Sequence, residues 1–260
     1  MRFASLGSGS KGNATLIQSD EALVLVDCGF GMRDALSRME RLGVTPTDID
    51  ALVMTHEHGD HLRGVKSLAK RLKLPVHLTA GTWIASRLDG LEGIHLVTPE
   101  QRFEIKDLAI DPVTVPHDAR EPVQYLFESG GSRLGVLTDI GHVSEHVYRR
   151  FAGCDALMLE LNHDRTMLAE GPYPPSLKRR VGGRWGHLSN CQAVELLKQW
   201  GTDNLQQVVA AHLSEKNNLP ERAHEALAPL FDHDSRRFKV ADQWLGVEWQ
   251  TLERTAVAAL

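Results

Sequence analysis

The chain has 260 residues, 42% of them hydrophobic, and no Pro-, Gly- or Ser-rich linker, repeat or charge block divides it, so a single domain over 1–260 is expected. No apolar run reaches the ~18 residues of a spanning helix, the N-terminus makes no secretory leader, and Cys28, Cys154 and Cys191 show no CxxC spacing; together these exclude a disulfide scaffold and predict a cytoplasmic protein without membrane attachment. The formal charge of −5 excludes little, since two bound divalent cations would add +4 and leave about −1.

In chain order, the Gly-bearing loop Ser8-Gly9-Ser10-Lys11-Gly12-Asn13 is expected to present amides to phosphate, with Ser10 and Asn13 as candidate substrate contacts. Short apolar runs predict buried strands over 22–26, 51–54, 75–78, 113–115, 134–138, 156–159 and 208–211. Leu62, Val65, Leu68, Ala69 and Leu72 share one helical face. A hairpin is expected at Gly130-Gly131. Ser189 with Gln192 reads as a capping box opening a helix over 190–200. Before it, Lys178, Arg179, Arg180 and Arg184 fall in what reads as a Gly- and Pro-bearing basic loop suited to a phosphate backbone. This alternation of strands and helices predicts an α/β architecture with helix-covered sheets.

The informative regularity lies at the strand ends, where ligand sites of α/β sheets collect. Asp27, the segment Thr55-His56-Glu57-His58-Gly59-Asp60-His61, then His117, Asp139 and His212 each follow a predicted strand. In extended backbone His56 and His58 point the same way and can share one metal. Gly59 allows the turn that directs Asp60 and His61 at a second. Imidazole nitrogen with carboxylate oxygen suits zinc first, with manganese or iron also compatible. Asp139, isolated among apolar neighbours, is explained by bridging two cations. Asp27 reads either as a turn residue or as a carboxylate behind the ligands that orients one of them.

The HxHxDH segment with His117, Asp139 and His212 resembles the metallo-β-lactamase superfamily over nearly the whole chain. The resemblance implies a four-layer αββα sandwich, with one metal on His56, His58 and His117, another on Asp60, His61 and His212, and Asp139 bridging. His58 stands where flavodiiron electron-transfer members carry glutamate. Too little chain separates Asp139 from His212 for a β-CASP domain, and too little follows His212 for a glyoxalase II helical domain. The segments Ser8 to Asn13, His117-Asp118-Ala119, Glu160-Leu161-Asn162-His163-Asp164, Gly186-His187-Leu188-Ser189-Asn190 and Ala211 to Asn218 are similar to the YycJ (WalJ) group, related to the tRNase Z and RNase J nucleases.

That resemblance implies a DNA exonuclease-like phosphodiesterase, with nucleic acid as substrate and a hydroxide shared between two metals as nucleophile. Asp60, His187 and Glu160 are the candidate catalytic residues. His187 protonates the leaving oxygen from just before a helix N-terminus, and Glu160 orients it, by resemblance to the glutamate–histidine pair of tRNase Z. The alternatives are a hydrolase of a lactam, lactone or thioester, and a metal-bearing nucleic-acid-binding or regulatory protein with little turnover. Oligomeric state is not legible.

Overall fold

The computed structural model describes residues 1–253; residues 254–260, the end of the expected domain, lie outside the described residues. Six strands come first: β1 (Arg2–Gly7), β2 (Ala14–Gln18), β3 (Leu23–Val26), β4 (Ala51–Val53), β5 (Val76–Thr79) and β6 (Ile94–Val97). A second group follows: β7 (Phe103–Ile105), β8 (Leu108–Thr114), β9 (Val123–Ser129), β10 (Ser132–Leu137), β11 (Ala156–Glu160), β12 (Gln207–Ala211) and β13 (Phe238–Val240). The last strand, β14 (Val247–Thr251), returns to the first group, giving sheets of order β14-β1-β2-β3-β4-β5-β6 and β13-β12-β11-β10-β9-β8-β7. Pairing is parallel from β3 to β6 and from β10 to β13.

The helices are α1 (Met32–Arg41), α2 (Gly59–Leu62), α3 (Val65–Leu72), α4 (Ala80–Ser86), α5 (Glu145–Phe151), α6 (Arg165–Glu170), α7 (Pro175–Val181), α8 (Asn190–Trp200) and α9 (Pro220–Leu227). Successive strand residues point to opposite faces, and here both faces are buried. Val24, Val26 and Val53 meet Tyr125, Phe127, Val136 and Met158 between the sheets. Leu25 and Leu52 turn outward to Met39 and Leu68 of the helices on one side. On the other side Leu137, Leu159 and Ala210 pack on Phe151, Leu196, Leu197 and Phe231. Three apolar layers therefore separate four structural layers, the αββα sandwich. Each fully buried Val, Leu or Phe contributes about 1.5–3 kcal/mol to it.

Gly130 and Gly131 turn the β9–β10 hairpin with φ of 58° and 80°, both in the region a two-residue type I′ turn requires. The Ser189–Gln192 capping box is formed at the start of α8. Two expectations need correction. Leu62, Val65, Leu68, Ala69 and Leu72 do pack on one core, but the helix that carries them is broken at Arg63 and Gly64, where the Gly64 amide donates to the Cys28 carbonyl at 2.8 Å and any Cβ would lie 1.9 Å from the Phe30 carbonyl oxygen. Lys178, Arg179 and Arg180 lie on helix α7, not in a loop, because Pro175 occupies a first-turn position where its missing N–H is not needed. Among the described residues, no helix is long and apolar enough to cross a membrane.

Candidate metal centre

The parallel strands of both sheets deliver polar residues to one edge of the sandwich. Asp27 follows β3, His56 lies just beyond β4, Asp139 just beyond β10, Glu160 ends β11, and His212 follows β12. Asp27, Asp139 and His212 have φ of 58°, 51° and 57°. Left-handed backbone at a non-glycine residue costs about 1–2 kcal/mol, and here it turns the chain back at three strand ends so that the side chains converge. The end of β4 is pinned across the sandwich, since the Tyr125 hydroxyl donates to the Met54 carbonyl at 2.8 Å and the Val123 amide to the Thr55 carbonyl at 3.1 Å.

Ligand-type atoms of His56, His58 and His117 fall within 4.8 Å of one another, as do those of Asp60, His61 and His212, and those of His56, His61 and Asp139. His58 Nδ1 is 3.3 Å from His117 Nε2, and His212 Nε2 is 3.3 Å from Asp60 Oδ2. Asp139 stands between the two sets, 3.2 Å from His61 Nε2 and 3.9 Å from His117 Nε2.

The groups behind these rings decide which nitrogen each presents. Thr55 Oγ1 donates to Asp27 at 2.7 Å, so at 2.9 Å it accepts from His56 Nδ1. His61 Nδ1 donates to Asp27 Oδ2 at 2.8 Å, His117 Nδ1 to the Gly186 carbonyl at 3.0 Å, and His212 Nδ1 to Glu160 Oε1 at 2.9 Å. In all four rings Nε2 is thereby left to face inward, the outer bonding that metal-ligating imidazoles show. His56 Nε2 is buried without any hydrogen-bond partner, and Asp139 Oδ2 has only the 3.2 Å approach of His61 Nε2. Uncompensated buried polar atoms are costly, and a cation at each cluster satisfies both. The donor set thus fits divalent metals.

Electrostatics follow from the same contacts. Burial favours the neutral ring of His61, yet the Asp139, Asp60 and Asp27 carboxylates outweigh it and raise its pKa well above the usual imidazole range. Burial likewise opposes protonation of His212, but Asp139, Asp60 and Glu160 raise it to about 10. Against their own burial, Asp60 and Glu160 are held down at about 2 by neighbouring histidines, and His212 and His61 likewise hold Asp139 well below the usual carboxylate range. Burial pushes His56 and His117 downward. His61 and His212 therefore keep their protons below their raised pKa values, and cations must displace them. Metal uptake at pH 7 is expected to release about one to two protons per chain, and affinity should fall as the pH is lowered. Calorimetry in buffers of different ionisation enthalpy measures this; uptake without proton release would contradict the charge assignment.

Beside the clusters, His187 Nδ1 lies 2.8 Å from Glu160 Oε1. Glu160 is fully buried, and its other oxygen accepts the amides of Ile140 at 3.1 Å and Leu188 at 2.9 Å. One rigid carboxylate thus aims both His187 and His212. A cavity of about 320 Å³ opens over them, with His58, Asp60, Asp139, His187 and His212 in its lining.

A family described as the beta-lactamase superfamily domain matches residues 23–213. The chain belongs to the beta-lactamase superfamily. It is 32% identical over 240 residues to the exodeoxyribonuclease YycJ of Bacillus anthracis, with 89% of each chain covered. To the exodeoxyribonuclease WalJ of Streptococcus pneumoniae it is 29% identical over 258 residues, covering 97% of this chain and 93% of that one. Among solved structures, the metallo-beta-lactamase fold protein YhfI from Bacillus subtilis superposes with a TM-score of 0.73 at 18% identity, covering 96% and 99%; this likeness concerns the fold.

In this superfamily member the other expected substrate contacts divide. Ser10 and Arg180 line the cavity, whereas Lys178, Arg179 and Arg184 do not. Lys178 Nζ donates to the Ala169 carbonyl at 2.6 Å, and the Arg184 carbonyl accepts from His142 Nδ1 at 2.9 Å. Bonding within the protein takes four amides of the Ser8 to Asn13 loop, which narrows the expected phosphate cradle. Gly9 N donates to Asn13 Oδ1, Lys11 N to Gln243 Oε1, Gly12 N to the Gly9 carbonyl and Asn13 N to the Asp60 carbonyl. Asn13 itself is buried against the second cluster, with Nδ2 3.2 Å from His61 Nε2.

Sequence reasoning missed Thr55, which links His56 to Asp27, and Asp118, whose carboxylate takes Arg180 Nε at 2.5 Å. Both sit directly beside a predicted ligand, the one available signal. It also missed Gly29, where an added Cβ would lie 1.8 Å from the Asp60 carbonyl oxygen. Gly29→Ala is expected to cost about 1–3 kcal/mol by forcing the backbones apart. Because Asp60 moves with that backbone, metal content should fall too; unfolding midpoint and metal content both at parental values would contradict this packing.

Proposed function

We propose that this superfamily member is a dinuclear metal-dependent phosphodiesterase that digests nucleic acid, acting on DNA as an exonuclease. Similarity to exodeoxyribonucleases along most of the chain supports the reading. The observation that carries it is the His187–Glu160 pair at 2.8 Å beside the metal clusters, a proton donor held where an alkoxide would depart. His56, His58 and His117 would hold one cation, Asp60, His61 and His212 the other, with Asp139 between; zinc is favoured, with manganese or iron compatible. Bound there, the two ions would acidify a water and stabilise charge on the phosphoryl oxygens.

The chain's own groups supply the remainder. Asp60 reaches the cavity and orients the attacking water. Ionised Glu160 accepts the Nδ1–H of His187, so that the ring delivers its proton from Nε2 to the leaving oxygen and ends as the neutral Nδ1–H form. Arg180, steered by Asp118, binds a non-bridging phosphate oxygen, with Ser10 nearby. The cytoplasm is the proposed compartment, where the free thiols Cys28, Cys154 and Cys191 remain reduced.

A panel of bis-p-nitrophenyl phosphate, nitrocefin and a thioester tests the bond class. Metal-dependent hydrolysis of the phosphodiester alone is expected. Faster turnover of the lactam or thioester would replace this reading by the corresponding hydrolase.

A further inference from the structure

Leu177 and Val181 sit one turn apart on α7, Tyr173 lies two residues before its start, and all three line the cavity. No residue of α7 is fully buried, and Leu177 and Val181 are half-buried, as is Tyr173 just before it. This apolar side joins none of the three core clusters and forms the wall of a cavity whose remaining lining is polar apart from two glycines. At about 320 Å³ the cavity lies near the lower end of the range for small-molecule sites, suited to one nucleotide and too small for a duplex. The phosphate half is set by the metal clusters and by Arg180, which Asp118 holds at 2.5 Å. That leaves the apolar half for a group that is flat and uncharged.

The wall is also tied to the proposed proton donor. The His187 amide donates to the Val181 carbonyl at 2.8 Å. Gly186 permits this close approach, since a Cβ there would lie 2.1 Å from the Arg180 carbonyl oxygen and 2.2 Å from that of Val181.

Resting on the phosphodiesterase reading above, we propose that Tyr173, Leu177 and Val181 form a nucleobase wall. The base of a nucleotide flanking the scissile phosphate packs on it, so the unit bound is the end of a single strand. One ring and two aliphatic chains contact the face of a base rather than reading its edge, so digestion should tolerate all sequences.

The test uses metal-loaded enzyme and two internally labelled single strands. One is intact; in the other, the two nucleotides at each end carry tetrahydrofuran in place of the base-bearing sugar. The parent enzyme should remove ends from the intact strand about ten-fold faster or more, the range expected for losing a stacked base. Tyr173→Ala and Leu177→Ala should each bring that ratio toward one, while Tyr173→Phe, which keeps the ring, should retain it. A purely structural role would slow both strands equally and leave the ratio unmoved, and that result overturns the wall. Equal rates of the parent enzyme on the two strands overturn it as well, with the phosphodiesterase reading intact. Cleavage of neither strand by the metal-loaded parent removes both.

Discussion

His187→Ala is expected to lower turnover on DNA by roughly 10²- to 10⁴-fold while leaving bound metal and substrate affinity near parental values. The structure gives the reason for separating these quantities. His187 is held through Nδ1 by Glu160 and lies in the cavity lining, whereas His56, His58, His117, Asp60, His61 and His212 make up the two candidate metal clusters without it. A donor to the leaving oxygen acts only as that bond breaks, so its loss should appear in turnover rather than in binding. The deficit should shrink on bis-p-nitrophenyl phosphate, whose leaving group departs without a proton. Metal loss in this variant would make His187 a ligand, since its ring also lies near Asp139, Glu160 and His212. An equal deficit on both substrates would remove the general-acid role.

Asp139→Ala is expected to empty both metal sites, and His117→Ala mainly one. Asp139 is buried between the clusters, near His61 Nε2 on one side and His117 Nε2 on the other. Removing it takes the shared negative charge from both cations at once and leaves imidazoles facing one another. Metal analysis after dialysis should find about two ions per parent chain and well under one in Asp139→Ala, with activity falling in parallel. Retention of one full ion by Asp139→Ala would place that carboxylate outside a shared position. Circular dichroism of the same samples separates metal loss from unfolding.

What the sequence reveals about this fold depends on burial. The central parallel strands β3, β4, β10, β11 and β12 are covered on both faces and read as continuous apolar runs, so their ends, and with them Asp27, His56, Asp139 and His212, can be located from the sequence alone. The peripheral strands β6, β7 and β14 are partly exposed and mix polar with apolar residues, while β1 and β2 carry Ser5, Gly7 and Thr15 among theirs, so none of these produces such a run. The site is legible as a set of residue types but not as hydrogen bonds. Glu160 as the partner of His187 is expected by resemblance, but nothing in the sequence shows that it also takes His212, that the Gly186 carbonyl fixes the His117 ring, or that three strand ends adopt left-handed backbone. The Gly-bearing loop from Ser8 to Asn13 misleads in part because composition does not reveal that Asn13, Gln243 and the Asp60 carbonyl take the amides of Gly9, Lys11 and Asn13. Helix α7 misleads for the opposite reason, since a proline can begin a helix as readily as it can end one.

Two cations held by this site are proposed to cut phosphodiester bonds in nucleic acid. Digestion of end-labelled single-stranded DNA and RNA by zinc- or manganese-loaded protein, with metal content counted on the same preparation, tests this most directly. Stepwise shortening of DNA from an end is expected, dependent on about two bound ions per chain and abolished by chelation. A preparation that holds two ions and binds DNA in a salt-dependent manner, yet leaves both DNA and RNA uncut, would contradict it and identify a binding protein instead.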